Sequence, residues 1–108
     1  NFNPRASPRV TIGIPVSYRF GNTIAAALTL NIGKGGVAIR TMSPMAAGEQ
    51  LTLRFRMPGQ RREVEATGRV AWSDRKVGMG VQFERLEAAD QQVIDEFVDQ
   101  HFFSNRKA

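Results

Sequence analysis

The sequence predicts a mainly β protein, a six-stranded antiparallel β-barrel followed by one C-terminal α-helix. Three observations carry this. Over residues 11–86, apolar side chains recur at alternate positions in short runs broken by Gly, Pro and Asn turns. From Ala88 the spacing becomes helical, with Val93, Ile94, Phe97, Val98, Phe102 and Phe103 on one face. The runs are evenly spaced and their turns short, which favours a closed barrel over an open sheet. At 108 residues and 42% hydrophobic content, the chain forms one domain able to bury a core without disulfides or metals.

Three segments follow in order. Residues 1–10 are read as a flexible N-terminal arm, since NFNPRASPR holds two prolines and no periodicity. Residues 11–86 form the barrel. Its first strand, Thr11 to Phe20, carries an irregularity at Gly13 and Pro15, and Gly21-Asn22 reads as a hairpin turn. Thr23 to Ile32 alternates, with Ile24, Ala26, Leu28, Leu30 and Ile32 on one face; Ala25, Ala27, Thr29 and Asn31 then lie on the outer one. Val37 and Ile39 point inward, and SPMAAGEQ is a loop.

Leu51, Leu53, Phe55 and Met57 point inward across a Pro-Gly turn from Val64, Ala66 and Val70, an arrangement that sets Arg54 against Glu65 and Arg56 against Glu63 outside. Parity with Val70 sends Trp72 inward as well. Met79, Val81 and Phe83 face in from a last strand, whose outward Gly78 and Gly80 admit a close neighbour. Residues 87–104 are the amphipathic helix, acidic on its other face at Asp90, Asp95, Glu96 and Asp99.

Charge is unevenly spread. The net +5 divides into +8 over residues 1–83 (12 Lys/Arg, 4 Asp/Glu) and −3 over residues 84–108 (3 basic, 6 acidic). A basic body suggests an anionic partner. There is no cysteine, which removes thiol chemistry and disulfides and fits a reducing compartment. The longest apolar run, Ile24 to Leu28, is too short for a bilayer span, so a cytoplasmic location is expected. His101 is the only histidine and sits on the acidic helix; no nucleophile, base and orienting group can be assembled, and neither a catalytic site nor a metal site is expected.

Gly33-Lys34-Gly35-Gly36 places three glycines in four residues between two strands. It is not a Walker loop, because Gly35 follows Lys34 where serine or threonine is required and a strand follows in place of a helix. Gly33, Gly35 and Ala38 fit the dinucleotide fingerprint by letter but also open a strand. The arm holds a second feature, Arg5 and Arg9 four residues apart. A guanidinium offers a planar pair of donors that suits phosphate oxygens and the O6/N7 edge of guanine.

Taken together, RASPRVTIGIPVSY, NIGKGGVAI, GRVAW, GMGVQF and the terminal helix resemble the PilZ domain family, in the right order over nearly the whole chain. The resemblance implies a bacterial, six-stranded barrel that binds the second messenger cyclic di-GMP and needs no cofactor. It implies that Arg5 and Arg9 hold phosphates and guanine edges, that Asn31 meets a guanine edge, and that Gly36 allows close approach at the turn. For Lys34 two readings stand, screening charge beside the ligand or a solvated side chain, and Trp72 resembles a position where some relatives stack an aromatic ring on the ligand. Two positions depart from the family pattern. Gly33 replaces a serine, removing a hydroxyl donor, and Pro4 replaces a second arginine, which points to one bound dinucleotide over a stacked pair.

The expected function is a cyclic di-GMP receptor that orders its arm over the ligand and signals to a protein partner or fused domain. An adaptor of the same fold that binds no nucleotide is the alternative. A nucleic-acid-binding barrel fits less well, because it needs a basic groove with exposed stacking aromatics, whereas the outward positions are mostly Ala, Thr, Gly and paired Arg/Glu.

Overall fold

The structure is a computed structural model and describes residues 8–107. Arg5 therefore lies outside the described residues. Seven strands form one antiparallel sheet: β1 (Arg9–Thr11), β2 (Pro15–Phe20), β3 (Thr23–Gly33), β4 (Gly36–Arg40), β5 (Gln50–Phe55), β6 (Val64–Asp74) and β7 (Gly78–Arg85), followed by α1 (Ala88–Lys107). The order β3-β2-β5-β6-β7-β4 returns to β3, so six strands close a barrel and β1 is an additional strand beside β3.

The strand expected from Thr11 to Phe20 is broken where the sequence was irregular. β1 pairs with the far end of β3 (Val10 with Ile32), β2 with its near end (Pro15 with Leu28). Thr29 bridges the break. Its hydroxyl accepts from the Ile14 amide at 2.9 Å and donates to the Ile12 carbonyl at 2.5 Å, so the backbone groups around Gly13 stay satisfied beside a buried polar side chain. Arg9 and Val10, expected in the arm, are the first residues of β1.

The alternation expected for β3 needs correction. Ile24 and Leu28 are exposed, while Ala25 and Ala27 pack against the core and Thr29 is buried. The cause is a β-bulge. Thr29 pairs with Ile39 and Asn31 with Ala38, leaving Leu30 as an extra residue that reverses parity. Asn31 is therefore outside and Ile32 fully buried, as expected, but the first half of the strand is inverted.

Trp72 is a second correction. Val70 pairs with Val81 and Trp72 with Gly80, so Ala71 is the extra residue of another bulge and the indole turns out of the barrel, 43% exposed. Elsewhere the inward set holds. Ile32, Val37, Ile39, Leu53, Phe55, Met57, Val70 and Met79 fill the barrel, and Ile94, Phe97 and Val98 of α1 join the same core. Arg54 and Glu65 approach to 3.7 Å, whereas β5 ends at Phe55 and Arg56 makes no ion pair among the described residues.

Candidate functional site

The register places one transverse row on the outer barrel face. Thr11 faces Asn31, Asn31 faces Ala38, Ala38 faces Gly80, and Gly80 faces Trp72. Both bulges serve this row, since one turns Asn31 outward and the other turns Trp72 outward. Three interstrand steps of about 4.8 Å separate β3 from β6, so the polar and aromatic ends stand roughly 14 Å apart along the sheet. That is the scale of a flat, two-base ligand, and the middle of the row carries the smallest side chains. The outward glycine at position 80 finds its neighbour here. A Cβ on Gly80 would collide with the indole of Trp72, so glycine lets the ring lie on the strand.

At the polar end, Arg9 lies across the turn. Its Nε donates to Asn31 Oδ1 at 2.6 Å and its Nη2 to the Gly36 carbonyl at 3.4 Å. Because Asn31 accepts from Arg9 through Oδ1, its amide NH2 is left as a donor, and Arg9 keeps further N–H groups of its own. Arg9 is exposed as a residue, yet its guanidinium lies close to the sheet, and this desolvation pushes its pKa down from the ordinary value. It stays a cation throughout the physiological range. Such a fork beside an amide can hold an anion and a base edge together.

Gly33 and Gly36 differ in why they are glycine. A Cβ on Gly33 would stand 3.0 Å from Arg9 Nη1 and 3.1 Å from the Pro8 carbonyl, so the missing side chain lets Arg9 lie down across the turn. A Cβ on Gly36 would collide with the Val81 carbonyl of β7. The close approach at Gly36 is thus between strands, and its carbonyl holds Arg9. Neither glycine has positive φ.

Lys34 is drawn away from the row. Its Nζ meets Asp99 of α1 at 2.8 Å, and Gln91 Nε2 donates to the Lys34 carbonyl, also at 2.8 Å. The hydrogen bond to Asp99 raises the Lys34 pKa. The sequence puts Lys34 beside the ligand or in solvent and Asp99 on a free helix face, whereas the structure joins the two and adds Gln91. The signal for them was the acidic tail opposing a basic body. His101 has a local role, with Nδ1 2.9 Å from the Phe97 carbonyl and its ring against that of Phe97, tilted by 32°. Among the described residues, no cluster of His, Asp or Glu could hold a metal ion, and no helix is long and apolar enough to cross a membrane.

The structure thus brings together Arg9, Asn31, Gly33 and Gly36, with Trp72 across the row and Lys34 turned to the helix. In fold the chain is similar to the solved structure of the Bacillus subtilis inhibitor of motility (MotI/DgrA), with a TM-score of 0.81 and 23% identity. That likeness covers 97% of this chain and 54% of the other, so the chain spans about half the length of that protein. No curated protein is similar enough in sequence to be matched. The PilZ domain family, by contrast, matches residues 3–100, which takes in the arm, every strand and most of the helix, and the chain is a member of that family.

Proposed function

We propose that this PilZ domain is a receptor for cyclic di-GMP and carries out no catalysis of its own. The observation that carries the reading is the Arg9–Asn31 hydrogen bond at the head of a small-residue row that ends in Trp72. Arg9 directs its remaining donors to a phosphate or guanine edge, and the freed Asn31 amide donates to a second acceptor on the base. Ala38 and Gly80 keep the row flat, Gly80 lies beneath the indole of Trp72, and the outer side of that half-exposed indole offers a stacking face. Arg5, upstream of β1, closes over the ligand from the arm. The signal passes as a change in the arm and in β1, which carries Arg9 and touches α1, to a protein partner or a fused domain.

A thermal melt with and without cyclic di-GMP tests this. Ligand at 100 times its dissociation constant stabilises a one-site receptor by about 2.7 kcal/mol, an easily read upward shift. An unchanged melt at millimolar ligand contradicts the reading and leaves the adaptor alternative, for which the exposed apolar Ile24 and Leu28 speak.

A further inference from the structure

The inverted half of β3 leaves a surface that the ligand row does not use. Ile24, Ala26 and Leu28 form an apolar stripe on the outer face, with Ile24 70% and Leu28 51% exposed. Strand register sets arginines around it. Ile24 faces Arg19, Leu28 faces Arg40, and the row from Ala26 runs through Ser17 to Arg54. A cavity of about 550 Å³ opens beside the stripe, with Ala26, Ile14, Phe55, Met57 and Pro58 in its wall together with Arg54 and Arg56. Arg19, Arg40 and Arg56 make no ion pair among the described residues, and Arg54 reaches only Glu65, at 3.7 Å.

We infer that this β2–β3–β5 face is a docking surface for an acidic, apolar-bearing segment of a partner protein. The inference rests on the reading that the domain reports to a protein, and it names where and to what chemistry. Charge complementarity selects the occupant. Four arginines against Glu63 and Glu65 favour carboxylates on the partner, and the apolar stripe favours alternating aliphatic side chains among them.

A second copy fits poorly. A two-fold contact would set arginines against arginines, and two carboxylates of the acidic helix, Asp90 and Asp99, are already bonded to Arg62 and Lys34. A lipid surface fits less well, because a flat bilayer that took up the protruding Ile24 and Leu28 would leave the cavity beside them unfilled. Concavity takes an anchor side chain, which is how protein interfaces concentrate their affinity.

The test is an NMR titration of the whole chain with a short synthetic peptide alternating leucine with glutamate. Its controls are the same peptide with lysine for glutamate, and vesicles of equal parts phosphatidylglycerol and phosphatidylcholine. The acidic peptide should shift amides of residues 17–19, 24–28 and 54–56 saturably, while the lysine peptide should not. Ile24→Ser with Leu28→Ser, and separately Arg19→Glu with Arg54→Glu, should each weaken it about tenfold or more. All these side chains are exposed, so the serine variant should melt like the parent, and the charge-reversed one slightly lower, since Arg54→Glu faces Glu65.

Equal binding of both peptides, no shift at millimolar acidic peptide, or shifts elsewhere would overturn the inference. So would vesicle binding without peptide binding, or a concentration-dependent dimer built on this face. Cyclic di-GMP affinity, measured on the same variants, should be unchanged. If the parent binds the peptide but not the nucleotide, the receptor reading fails while the docking surface stands.

Discussion

Arg9 and Lys34 are two cations beside one glycine turn, and the fold uses them in opposite directions. Arg9 enters from β1, bonds Asn31 and the Gly36 carbonyl, and lies over the outer face. Lys34, at the tip, reaches Asp99 of the helix while its carbonyl takes Gln91. Nearness to a turn therefore says little about service to a ligand. What decides is whether other groups hold the charge across the binding row or against the body of the protein. Arg9 has its fork aimed at neutral acceptors and keeps donors to offer. Lys34 is already neutralised by a carboxylate, so its contribution is to the docking of the helix.

Removing each cation separates the two roles. Arg9→Ala should weaken cyclic di-GMP binding roughly 10- to 150-fold, the equivalent of about 1.5–3 kcal/mol for charged hydrogen bonds, while the free protein melts nearly unchanged. Arg9→Lys should rescue poorly, because a point charge lacks the planar fork. Calorimetric titration of both variants reads this. An Arg9→Ala protein that binds like its parent would place the ligand elsewhere.

At the far end of the row, Trp72→Ala should cost about fivefold or more in affinity, since stacking on a base contributes roughly 1–3 kcal/mol. Fluorescence of the single tryptophan in the parent should respond to the same ligand. A silent tryptophan together with unchanged affinity would shorten the site to its Arg9 end.

Gly33→Ser should sharpen the contrast in the other direction, tightening binding about two- to tenfold by returning a hydroxyl donor worth roughly 0.5–1.5 kcal/mol net. Because φ at Gly33 is not positive, the backbone accepts a side chain. The new Cβ must instead move Arg9 and the Pro8 carbonyl by a few tenths of an ångström, and both stand at the start of β1, where the guanidinium can swing. Weaker binding with an unchanged melt would mean that Arg9 works only in its present resting position.

Lys34→Ala should be the smallest effect on the ligand, within about twofold, with a slight loss of thermal stability. Both partners of the Lys34–Asp99 pair are about half exposed, so that loss should shrink as salt rises. The pKa of Lys34 is raised by its bond to Asp99, so the contribution is present below the ordinary lysine range near about 10.4 and disappears as pH climbs through the raised value. Melts of parent and variant should therefore converge in strong base. A large loss of cyclic di-GMP affinity in Lys34→Ala would erase the distinction between the two cations.

Much of this was legible in the sequence, and the failures have one physical origin. The barrel, the helix and the inward set of β5 followed from period-two and helical spacing, because those elements keep one face buried throughout. Ile24, Leu28 and Trp72 lie on the opposite side from that expected because Leu30 and Ala71 are bulge residues, and no glycine or proline adjoins either one to announce it. Bulges are set by what the neighbouring strand demands, which local alternation does not contain. Arg9 and Asn31 were found because motif order carried them. Asp99 and Gln91 were not, since their link to Lys34 is a tertiary contact between distant parts of the chain.

The distinction between the two cations depends on there being a ligand at the Arg9 row, and one calorimetric titration of the parent with cyclic di-GMP asks this most directly. Saturable heat with one dinucleotide bound per chain, abolished or strongly weakened in Arg9→Ala and retained in Lys34→Ala, is the expected result. Titration to millimolar ligand without saturable heat, in a protein whose melt is also unmoved, would contradict the receptor reading.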